Sequence, residues 1–163
     1  HNAGGSPAPY GTGMHPYLRV SAPLDEATLR LPARLRLPVD GRLLPSGAPE
    51  PVAGTEHDFR SPRRIGGTVL DTAFTGLDRD EEGLAWTVLS GGGTAVGLWA
   101  DRSYSWLQVF SADGLPEAAH RVGLAVEPMT CPPNAFASGD DLDVLSPEQT
   151  LGSRFGIRRL AQS

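Results

Sequence analysis

Apolar residues in this chain come in short runs separated by glycine, proline and charged turns. The runs at 28–31, 33–37, 84–89, 95–99, 105–110, 122–126 and 150–158 are each of strand length, and several alternate apolar with polar. Trp86 with Val88, and Val96 with Leu98, recur at every second position, which puts each pair on one face of a half-buried strand. No window keeps helical periodicity over three turns. Short strands spaced roughly 8–12 residues apart predict an all-β fold, a sandwich or a barrel.

The breaks between runs are legible too. Asp40-Gly41 carries a hairpin signal. The charged stretch DRDEEG at 78–83 reads as a solvated hairpin tip, and the three glycines at 91–93 as a flexible corner. The segment 50–64 reads as a long surface connection. No internal repeat and no domain boundary stands out. Neither glycine cluster is a nucleotide loop: 91–93 lacks a following Lys-Ser/Thr, and 11–13 lacks a strand–turn–helix around it.

Composition narrows the partners. A chain of 163 residues can bury one real core. Its net charge of −5 gives no reason to expect nucleic acid. Its 14 basic residues are all arginine, read as genome composition bias. No run approaches the ~20 apolar residues of a membrane span, and the start shows no leader pattern. Cys131 is alone, so no internal disulfide forms. A lone thiol without a leader points to the cytoplasm.

Two segments carry candidate chemistry. GLAVEPMTCPPNAF at 123–136 sets Glu127 at the end of an apolar run and then breaks the backbone with Pro128, Pro132 and Pro133. Partial burial there would raise the carboxyl pKa and make Glu127 a better base. PYGTGMHPYL at 9–18 holds His15 before Pro16, and an imidazole can serve as acid or base near neutrality. An imidazole and a carboxylate on proline-fixed loops point to acid–base chemistry on a neutral, polar substrate. Asp71 reads by residue type as a turn or cap carboxylate. Gln108 is a lone polar residue in an apolar run, the kind that bonds a neighbouring strand. Tyr17, Trp99 and Trp106 read as core or rim. Cys131 reads as a loop thiol and His120 as an exposed turn residue. His57 between Glu56 and Asp58 is a poor metal ligand set, since successive strand side chains alternate, and no metal is expected. No nucleophile elbow is present.

The segments PYGTGMHPYL, LDTAFTGL at 70–77, WLQVF at 106–110 and GLAVEPMTCPPNAF occur in that order and together resemble the aldose 1-epimerase (galactose mutarotase-like) family. The resemblance implies a large antiparallel β-supersandwich. Residues 1–163 would form part of a single β-sandwich domain, matching the C-terminal half and incomplete at the N-terminus. A separate chain could supply the other half, from which family members draw a second histidine and another polar sugar contact. The resemblance makes His15 the general acid, Glu127 the base, Asp71 a ligand of sugar hydroxyls and Gln108 a residue close to the sugar. It implies an isomerase acting on a monosaccharide without a cofactor. The alternatives are a catalytically silent carbohydrate-binding β-sandwich and a same-fold enzyme for a specialised cyclic substrate. Arg60, Arg63 and Arg64 read first as a solvated basic cluster, with a phosphate contact for a phosphorylated sugar as the secondary reading.

Overall fold

A computed structural model describes residues 1–161. Three antiparallel sheets account for the regular structure. A two-stranded ribbon pairs β1 (Ala8–Tyr10) with β12 (Asp143–Leu145). A six-stranded sheet runs in the order β2 (Tyr17–Leu18), β11 (Leu124–Met129), β10 (Trp106–Phe110), β7 (Asp71–Leu77), β4 (Ala33–Arg36), β5 (Glu50–Pro51). A five-stranded sheet runs β13 (Phe155–Leu160), β9 (Thr94–Ala100), β8 (Ala85–Gly91), β3 (Thr28–Arg30), β6 (Arg63–Arg64). The helical pieces are short: a 3-10 turn at Leu24–Glu26 and α1 (Ala135–Ser138). Among the described residues no helix is long and apolar enough to cross a membrane.

The two large sheets share one core. Leu18, Phe74, Leu107, Val109, Leu124 and Val126 of the six-stranded sheet pack with Leu29, Leu89 and Leu98 of the five-stranded sheet. This is the expected antiparallel β-sandwich. The pleat sends alternate residues to opposite sides. Gln108 and Glu127 therefore face away from the core that Leu107, Val109 and Val126 enter.

Several local expectations need correction. β7 had no place among the predicted runs, yet it lies in the middle of the six-stranded sheet, with Asp71 at its first position and not in a turn. Its threonines and Gly76 mask the apolar signal, while Phe74 is fully buried. The 78–83 stretch is not a hairpin tip. It carries the chain from β7 in one sheet to β8 in the other, and the Arg79 guanidinium pins the crossing by donating to the carbonyls of Gly83, Ala100, Asp101 and Tyr104. Trp86 and Val88 do share a face, but it is the outer one, paired with Trp99 and Gly97. Arg158 covers the Trp86 ring at 4.6 Å, and Ala85, Thr87 and Leu89 point inward. The 50–64 segment is not confined to the surface, because Val52 and Phe59 anchor it in the core. The last strand begins at Phe155, later than the 150–158 run suggests.

Candidate active site

Glu127 does not end its strand. β11 continues through Pro128 to Met129, so Glu127 keeps a strict strand register. On one side it is the partner of Gln108. On the other, Tyr17 pairs with Ala125 and Gly13 bridges to Met129, and that register sets His15 opposite Glu127. Gln108 in turn pairs with Ala73. His15, Glu127 and Gln108 thus form a row across three neighbouring segments, on the sheet face opposite the sandwich core.

Prolines shape the His15 end of this row. Met14 N–H donates to the Pro128 carbonyl and Val126 N–H to the Pro16 carbonyl. The reciprocal rungs would need N–H groups from Pro128 and Pro16, which proline lacks. The ladder is therefore half-bonded on both sides of His15. The imidazole reaches back over the row, with Nε2 3.2 Å from Glu127 Oε1. The two side chains differ in exposure, 55% for His15 against 15% for Glu127. The Glu127 contact is an ion-pair distance only, and among the described residues the His15 side chain makes no hydrogen bond. Its ring stacks on Tyr17, with centroids 5.1 Å apart and planes 24° from parallel.

Burial pushes the Glu127 carboxyl above the usual glutamate range. The His15 imidazole opposes that shift, and the negative charge of Asp71 adds to it. Asp71 reaches the row through Gln108, whose Nε2 donates to Asp71 Oδ1 at 2.7 Å. That bond orients the amide and leaves Gln108 Oε1 buried without a partner. An unsatisfied buried acceptor is costly in a stable fold. All four sequence candidates, His15, Asp71, Gln108 and Glu127, therefore lie on one patch. His15 and Glu127 sit side by side on neighbouring segments.

An apolar border flanks the patch. Leu37, Ala73, Trp106 and Met129 form a small separate cluster. Trp106 is buried, and its indole N–H donates to Asp141 Oδ2 at 2.7 Å. The other candidates lie apart from the row. Cys131 is partly buried beside Gly11. His57 sits 6.2 Å from the Phe74 ring, and burial lowers its pKa, with Arg36 adding to the effect. Arg60 is held by two bonds to Asp58, and Arg63 lies 4.2 Å over Phe59, so two of the three arginines considered for phosphate already have partners. Sequence reasoning missed the Tyr17–His15 stack. The signal was present, because residues two apart in a strand share a face.

Known proteins give the same fold. The sequence profile described as Aldose 1-epimerase matches residues 1–158. Uncharacterized protein YihR from Escherichia coli K12 is 36% identical, and the match covers 97% of this chain and 50% of YihR. The GalM/aldose epimerase homologue from Caenorhabditis elegans superposes with a TM-score of 0.82 at 18% identity, over 96% of this chain and 53% of its own. A galactose mutarotase-like protein from Clostridium acetobutylicum gives 0.77 at 16%, over 99% and 50%. Galactose 1-epimerase from Lactobacillus acidophilus gives 0.68 at 23%, over 95% and 48%. The chain spans about half the length of these relatives.

Proposed function

Because the chain belongs to the aldose 1-epimerase family, we propose that it carries the acid–base pair of a mutarotase, which interconverts the α and β anomers of an aldohexose. The observation that carries the reading is the contact of His15 Nε2 with a largely buried Glu127 at 3.2 Å. The C1 hydroxyl oxygen and the ring oxygen of a pyranose share one carbon, so adjacent side chains can serve both.

In this mechanism Glu127 begins ionised and His15 protonated. Glu127 takes the proton of the C1 hydroxyl while His15 gives a proton to the ring oxygen. The bond from C1 to the ring oxygen breaks, and C1 becomes an aldehyde. Rotation about C1–C2 presents the other face of the carbonyl. His15 then takes the proton back as the ring oxygen attacks, and Glu127 returns its own to the new C1 oxygen. Protons balance within the pair, so no cofactor is needed. Burial makes Glu127 a stronger base once ionised. Asp71 and the free Gln108 Oε1 are suited to accept hydroxyls of the same sugar.

Polarimetry of freshly dissolved α-D-glucose and α-D-galactose tests this on the full-length protein. Mutarotation faster than the buffer rate, and lost in Glu127→Gln, is the expected result. Sugar binding with no rate effect would move the protein to the silent carbohydrate-binding class. No response to either sugar would point to a specialised cyclic substrate.

A further inference from the structure

The side chain that aims the candidate acid is not bonded to it. His15 lies where the ladder is half-bonded, because Pro16 and Pro128 remove the reciprocal donors. More than half of its side chain is exposed, and its contact with Glu127 is an ion-pair approach of one ring atom that does not set the plane. Tyr17 supplies the plane. It is two residues along the same edge and points to the same side. Its ring stacks on the imidazole at 5.1 Å and 24°.

Among the described residues no other contact accounts for an aromatic residue there. Tyr17 is 47% exposed, so core burial does not explain it. Its hydroxyl makes no hydrogen bond among the described residues. Its cross-strand partner is Ala125, fully buried and too small to brace the ring from the side. Gly123 lies against the same turn, where a Cβ would come within 2.9 Å of the Leu18 carbonyl oxygen. Small neighbours let the Tyr17 ring lean along the strand towards His15.

From this geometry we infer that Tyr17 is a positioning residue, whose ring face holds the His15 imidazole in the plane that directs Nε2 to the proton-transfer position. The inference rests on the acid role given to His15 above. The ring matters and the hydroxyl does not, so phenylalanine should replace tyrosine. Stacked aromatic pairs favour an offset geometry over free rotation, and a protonated imidazole gains further from the negative ring face.

The test compares Tyr17→Phe with Tyr17→Leu in the full-length protein, with circular dichroism and melting to confirm that both fold. Tyr17→Leu is expected to lower kcat roughly 3- to 10-fold, with KM within about twofold of the parent. Tyr17→Phe is expected to restore kcat. Proton NMR supplies a second readout independent of turnover. The His15 ring protons should sit upfield in the parent and in Tyr17→Phe, through the ring current, and move downfield in Tyr17→Leu. His15 shifts unchanged in Tyr17→Leu would overturn the proposal. So would a loss confined to KM, or a Tyr17→Phe variant as slow as Tyr17→Leu. A parent protein that never accelerates mutarotation would defeat the epimerase reading, and the NMR comparison would still decide the role of Tyr17.

Discussion

The two faces of the six-stranded sheet are made by the same strands, yet they solve opposite problems. The inner face buries Phe74, Leu107, Val109, Leu124 and Val126 against the second sheet. The outer face carries His15, Asp71, Gln108 and Glu127, with a raised carboxyl pKa and an unpartnered buried acceptor. Alternation of side chains keeps the two apart at single-residue spacing. Gln108 is flanked by Leu107 and Val109, both fully buried. A rigid inner face is what allows the outer one to hold polar groups in arrangements that do not stabilise the fold. Damage to the two faces should therefore separate into lost chemistry and lost stability.

The largest expected effect is on the outer face. Glu127→Gln keeps the shape of the side chain and removes the base, so mutarotation should fall about 10²- to 10⁴-fold while the melting temperature holds or rises. A Glu127→Gln variant that melts far below the parent would break the comparison, because it would make the site part of the structural core.

Phe74→Ala is the counterpart on the inner face. The ring is fully buried in the main cluster, and its loss should cost about 3–5 kcal/mol in urea unfolding. Activity per folded molecule should change little. A collapse of activity without a shift in the urea midpoint would show that the faces are coupled.

The pH dependence sharpens the contrast. Glu127 has a raised pKa when folded, so the folded state holds this proton more tightly than the unfolded chain does. The resulting stability is present below the ordinary glutamate range and is lost as pH rises through the raised folded value. Melting curves across that window should fall for the parent relative to Glu127→Gln. Activity should run the other way, rising as Glu127 ionises. Asp71→Asn removes a negative charge that raises the Glu127 pKa and keeps an acceptor for the Gln108 amide. The rising limb of its pH–rate profile should therefore move to lower pH; an unmoved limb would mean that Asp71 does not act on Glu127.

The smallest effect compares two unpartnered buried atoms. Thr87 Oγ1 points into the core without a hydrogen bond, as Gln108 Oε1 does on the site face. Thr87→Val should stabilise the protein by about 1 kcal/mol in urea unfolding without touching activity. Gln108→Leu differs, because it also removes the bond to Asp71, so it should lower the rate without stabilising the fold. If Thr87→Val destabilises, that hydroxyl has a partner in solution.

Much of this architecture was readable from residue order. Alternating runs and glycine–proline punctuation announced an all-β sandwich or barrel, because strand periodicity and turn chemistry are local properties; the family resemblance narrowed this to an antiparallel sandwich. The Asp40-Gly41 and 91–93 turns fell where expected: Asp40 Oδ1 accepts from the N–H groups of Arg42 and Leu44, and Gly92 and Gly93 adopt left-handed φ of 58° and 76°. β7 escaped, because a central strand that presents Asp71, Thr72, Thr75 and Gly76 lacks the local pattern and is held by its neighbours on both sides. The inward face of β8 escaped because a period of two defines two faces and does not say which one meets a second sheet.

The same division runs through the site. Four segments named His15, Asp71, Gln108 and Glu127 as candidates, since residue type and motif are written in the chain. Their adjacency was decided by strand register, which places residues from four distant segments within reach of one another. Only that register makes Glu127 the neighbour of both His15 and Gln108, buries it enough to raise its pKa, and lays Tyr17 beside the imidazole. Alone, the amino-acid order settles which groups are available. The sheet settles which of them touch, because hydrogen-bonded pairing is a long-range choice that no local pattern encodes.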